Sequence, residues 1–65
     1  MYYLKFGEIG DVCNEEGKTI FFLSKKSAKR CKAYLIANDK NLDLRVSKAS
    51  QFAINFYGAT SRNVK

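Results

Sequence analysis

Alternation opens the chain. In YYLKF, Tyr2, Leu4 and Phe6 share one face while Tyr3 and Lys5 share the other, the period-two pattern of a half-buried strand. GEIGDVC continues it less regularly, and Gly7 and Gly10 predict a bulge or bend there. NEEG then supplies turn chemistry: Asn14 opens, and Gly17 can take the left-handed conformation that closes a hairpin. KTIFFL reads as the return strand, with Thr19, Phe21 and Leu23 on one side and Ile20 and Phe22 on the other. Apolar residues on both faces predict a central strand.

From Ser24 onward the apolar period lengthens to that of a helix. Ser24 or Ser27 can cap it, since a Ser hydroxyl accepts from the free N–H groups of a first turn. At 100° per residue Ala28, Cys31 and Leu35 fall on one narrow stripe flanked by Tyr34 and Asn38, and this stripe is expected to lie on the sheet. Lys25, Lys29, Lys32 and Lys40 lie opposite with Ile36 among them, while Lys26, Arg30, Ala33 and Ala37 fill the remaining flank. NDKN ends the helix. LDLRV alternates cleanly, Leu42, Leu44 and Val46 inward and Asp43 and Arg45 outward.

SKASQFAINFYG fits two periods. Ala49, Phe52, Ala53 and Phe56 have helical spacing, whereas Phe52, Ile54 and Phe56 have strand spacing; the Phe, Ile and Tyr content favours a strand. Residues 58–65 read as a frayed tail. The sequence therefore predicts a single α+β domain over residues 1–65: a small antiparallel sheet with one helix packed across it, in the order β-β-α-β-β. The alternative makes the last element a helix, β-β-α-β-α. No internal repeat or linker interrupts it.

Size and charge sharpen this picture. A chain of 65 residues buries a thin core, yet 46% hydrophobic residues, with four Tyr, five Phe and no Pro, are too many for a disordered tail. Twelve Lys and Arg against six Asp and Glu give a net charge of +6, which points to polyanions or acidic protein surfaces as partners. MYYLKFGEIG has no secretory signal pattern, and no apolar run approaches the ~18 residues of a membrane span, so a cytoplasmic location without membrane contact is expected. Cys13 and Cys31 are then expected to remain thiols; without CxxC spacing or any His they make no zinc site, and no metal or other cofactor is expected.

Catalytic chemistry is sparse. There is no His, and the six acids are Glu8, Asp11, Glu15, Glu16, Asp39 and Asp43, of which Glu15 and Glu16 sit in a turn as a solvated pair. Cys31 falls on the apolar stripe, Cys13 has no base to activate it, and no phosphate-binding glycine loop occurs. The chain reads as a non-enzyme. Its distinctive feature is the helix opening SKKSAKRCK, where Lys25, Lys26, Lys29, Arg30 and Lys32 accumulate at the end whose unpaired N–H groups already carry partial positive charge. A solvated face explains any one of these charges. Their single sign, and Ile36 among them, favour a partner-binding surface made of Lys25, Lys26, Lys29, Arg30, Lys32, Ile36, Lys40 and Arg45. Tyr3, Phe22 and Tyr57, with Ile20, are a second candidate: an aromatic surface on the sheet face away from the helix, able to stack on unpaired bases in DNA or RNA.

A hairpin closed by EGKTI, a helix carrying SAKR, a strand LDLRV and an aromatic closing segment FAINFY together resemble the small phage anti-CRISPR proteins, particularly those acting on the type I-F surveillance complex. The resemblance spans roughly residues 15 to 57 and lies in the order of elements. It implies a small inhibitor in the cytoplasm of a host cell, acting on a nucleic-acid-handling protein complex. Direct DNA or RNA binding is the alternative reading.

Overall fold

The computed structural model describes residues 1–7 and 10–65; Glu8 and the middle of the predicted bulge lie outside the described residues. The sheet is built on β1 (Tyr2–Phe6). Along one edge β4 (Leu44–Lys48) pairs antiparallel over the whole strand, from Tyr2↔Lys48 to Phe6↔Leu44. Along the other edge two short strands follow one another: β2 (Gly10–Asp11), opposite Phe6 and Lys5, and β3 (Phe21–Phe22), opposite Tyr3 and Tyr2. Between them the chain leaves as a hairpin closed by a Cys13–Thr19 bridge. Asn14 holds its turn as expected, its Oδ1 accepting from the N–H groups of Glu16 at 2.9 Å and Lys18 at 3.0 Å, and Gly17 supplies the left-handed residue at φ +79°.

The return strand is shorter than KTIFFL predicted, because only Phe21 and Phe22 reach β1. Its two apolar faces have separate causes. Ile20 and Phe22 face the core, whereas Phe21 is fully buried on the opposite face, its ring 6.3 Å from that of Tyr3.

α1 (Lys25–Asn38) begins at Ser24, whose Oγ accepts from the Ser27 N–H at 3.2 Å, and stops at Asp39, whose N–H donates to the Leu35 carbonyl at 3.0 Å. The predicted stripe lies on the sheet. Ala28, with only a methyl group, is fully buried against Leu4 and Phe22, with Cys31, Leu35, Tyr2, Val12, Ile20 and Val46 packed around them. Leu44 is buried and Arg45 exposed, so the inward-outward alternation of LDLRV holds.

Two expectations at the C-terminal end are corrected. The predicted closing strand is a helix, α2 (Gln51–Tyr57). Ser50 Oγ accepts from the Ala53 N–H at 3.1 Å, and Gly58 at φ +71° lets two N–H groups, its own and that of Ala59, close on the Ile54 carbonyl. A cap and a left-handed stop on either side of seven residues outweigh the β preference of Phe and Ile, so the alternative order, with a helix last, describes this end. The tail at 58–65, expected to fray, is tied to the sheet. Phe21 N–H donates to Asn63 O at 2.8 Å and Lys65 N–H to Phe21 O at 2.7 Å, making a parallel bridge that covers the outer edge of β3. The result is one antiparallel sheet with two helices, an α+β fold whose first hairpin resolves into three short strands.

Candidate functional site: a lysine-walled groove

Lys25, Lys29 and Lys32 project from α1 and Lys40 from just beyond it. Together with Ala33, Ile36, Ala37 and, from β4, Val46 they line an open groove of about 910 Å³, in which Lys32, Ile36 and Val46 are half-buried and the others exposed. Alternation along β4 turns Val46 toward α1, and the helical period sets Ile36 among Lys25, Lys29 and Lys32 on the flank nearest it, with the exposed Ala33 and Ala37 farther round the helix. Five of the eight residues expected to form a partner-binding surface, Lys25, Lys29, Lys32, Ile36 and Lys40, are thus gathered in one place.

These lysines are electrostatically unspent. Among the described residues the ion pairs are Arg45–Asp43 at 3.8 Å and Arg62–Glu16 at 3.0 Å, and neither involves the groove. No acid stands in the first turn of α1. The cations therefore add to the positive end of the helix, and among the described residues no carboxylate pairs with them to relieve their mutual repulsion.

The other predicted residues lie elsewhere. Arg30 borders a smaller groove of about 460 Å³ on another side of α1, with Ile20, Phe22, Cys31, Tyr34 and Lys65, and Lys26 is exposed without lining either. Burial pushes the Cys31 thiol above its ordinary pKa, an effect that the Lys65 ammonium partly offsets. Arg45 is opposite Lys5 in the ladder, on the sheet face away from α1.

The aromatic surface does not form as predicted. Phe22 is 3% exposed in the core beneath α1. Tyr3 is half-buried on the opposite face, where burial first, then Asp11 and Tyr57, raise its phenol pKa. Tyr57 alone of the three is well exposed. The exposed aromatic residues that the strand reading missed are Phe52 and Phe56, 76% and 72% exposed on α2 with their rings stacked at 5.9 Å. Their spacing of four, between Ser50 and Gly58, was the available signal.

No family model, curated protein or solved structure matches this chain. Its function is read from its own geometry. Among the described residues no cluster of His, Cys, Asp or Glu could hold a metal ion, and no helix is long and apolar enough to cross a membrane.

Proposed function

We propose that this protein is a non-enzymatic binding module of the cytoplasm, an inhibitor or modulator of phage type. It docks its lysine groove onto an acidic surface of a host nucleic-acid-handling protein complex. One observation carries this reading: four lysines, none paired with an acid among the described residues, line one groove with the half-buried apolar Ile36 and Val46. Desolvated apolar contact ringed by charge is the pattern of a protein interface, in which the charges steer and the centre binds. Direct nucleic-acid binding has less support. A phosphate backbone uses the lysines but has nothing to place on Ala33, Ile36 and Val46, and the expected base-stacking surface loses Phe22 to the core.

The test is capture from bacterial lysate by the wild-type protein and by Lys29→Glu/Lys32→Glu, followed by titration of the purified partner and of bare duplex and single-stranded DNA. The expected result is a stoichiometric protein partner, lost on charge reversal and bound more tightly than either DNA. No such partner, or tighter binding to DNA, overturns the proposal.

A further inference from the structure

Lys25, Lys29, Lys32, Ile36 and Lys40 succeed one another at intervals of four, three, four and four residues. At these intervals the five side chains share one face of α1. Ile36 is the apolar member of that face, Val46 of β4 lies beside it in the groove, and the neighbouring Ala33 and Ala37 carry only methyl groups. Small side chains next to Ile36 let a second backbone approach toward the short end of the ~8–10 Å range of helix pairs. An extended polyanion would satisfy the lysines and leave that strip facing water.

We infer that the groove receives an acidic amphipathic helix of a partner protein. Its apolar edge rests on Ile36 and Val46, with Ala33 and Ala37 beside them, and its carboxylates reach the four lysines among which Ile36 lies. This rests on the reading of the groove as an acid-binding surface and specifies what the acid is carried on. The 14 residues of α1 extend about 21 Å, so the complementary segment is about four turns long. Charge complementarity selects the occupant: a basic or neutral helix would bring no counter-charge to the four lysines.

The probe is a synthetic peptide of about five turns built from Leu and Glu, with the leucines on one helical edge. It is compared with a scrambled isomer of identical composition that has no such edge. Both are titrated into the intact protein by fluorescence anisotropy, and the site is mapped by amide chemical shifts. The ordered peptide is expected to bind about tenfold or more tighter than the scrambled one, the margin one well-seated apolar anchor provides. Shift changes should centre on Ala33, Ile36, Ala37 and Val46, and Ile36→Ala should remove most of the margin by weakening the ordered peptide more than the scrambled one.

Equal affinity for the two peptides overturns the helix while the acid-binding reading stands, and absence of binding by both overturns the two together. Shift changes centred on Phe52 and Phe56 overturn the assignment to the groove. Tighter binding to a short DNA duplex or to vesicles containing phosphatidylserine overturns the choice of a protein helix.

Discussion

The side-chain amide of Asn63 donates to the Thr19 carbonyl oxygen at 2.7 Å, joining positions 44 residues apart. Asn63 is fully buried, and its Oδ1 accepts from both the N–H and the hydroxyl of Thr60. One side chain thus fixes the turn after α2 and sets the last residues against β3. Asn63→Ala removes the donor and leaves the buried Thr19 carbonyl unpaired, at a cost of roughly 1–3 kcal/mol. Urea denaturation should show that loss as a lower midpoint with little change in slope; a neutral variant would mean that the backbone bridge to Phe21, and not the Asn63 side chain, holds the tail.

The core offers a graded test of how thin it is. Leu4, on β1, is fully buried beneath α1, whereas Leu35, on the apolar stripe of α1, is half-buried. Leu4→Ala should cost about 2–5 kcal/mol and unfold much of the population of a domain this small, while Leu35→Ala should cost clearly less. Thermal melts monitored by far-UV circular dichroism would rank the two, and the reverse order would place the packing centre elsewhere.

Much of this arrangement was legible because each residue involved carries its own local reason. Ser24 caps, Asn14 and Gly17 turn, and Ala28, Cys31 and Leu35 recur at the helical period, so these features follow from short-range rules. The sequence reading failed where a long-range contact decided. Nothing near residue 63 announces that Phe21 lacks an edge partner, and so a structured end looked like a frayed one. At residues 51–57 the composition favoured β while Ser50 and Gly58 favoured α, and the boundary residues prevailed. The groove was half visible: periodicity placed four lysines and Ile36 on one side, but Val46 joins them only because β4 returns beneath α1.

The two thiols should differ in reactivity and in their effect on stability. Cys13 is exposed, whereas Cys31 is partly buried and its pKa is raised. The thiolate is the nucleophile, so at mildly alkaline pH an alkylating reagent should modify Cys13 several-fold faster, as read by peptide mass spectrometry. Because folding favours the protonated form of Cys31, its contribution to stability is complete below the ordinary thiol pKa. That contribution declines as pH rises through the raised value. Cys31→Ser should flatten that alkaline decline, and an unchanged pH profile would assign it to other groups.

Phe52 tests the corrected element. In a closing strand its side chain would be buried with Ile54 and Phe56, and replacement would be costly; on α2 it is exposed and meets the ring of Phe56. Phe52→Ser should therefore cost less than about 1 kcal/mol, the scale of a surface i,i+4 pair and a change in helix propensity. Gly58→Ala should be the more damaging of the two, since it places a Cβ at φ +71°, where an L-residue is disfavoured by about 1–2 kcal/mol, although no neighbouring atom obstructs the space.

Charge reversal at the start of α1 separates binding from folding. Lys25 and Lys29 lie one turn apart beside the partial positive charge of the helix end, and neither forms an ion pair among the described residues. Lys25→Glu/Lys29→Glu keeps one like-charge pair between the two positions while suiting the helix dipole and giving position 29 an opposite-charge neighbour in Lys32, three residues on. The double variant should melt at or slightly above the wild-type temperature, by a few tenths of a kcal/mol per position. Binding of the ordered Leu–Glu peptide should nevertheless fall by more than tenfold, because reversing a charge against an acidic partner introduces repulsion as well as removing attraction. Raising the salt concentration should weaken the wild-type complex and have little effect on what remains of the variant's. A double variant that melts well below the wild type would show that these lysines support the fold itself, and the groove would then lose its claim to be a surface kept for a partner.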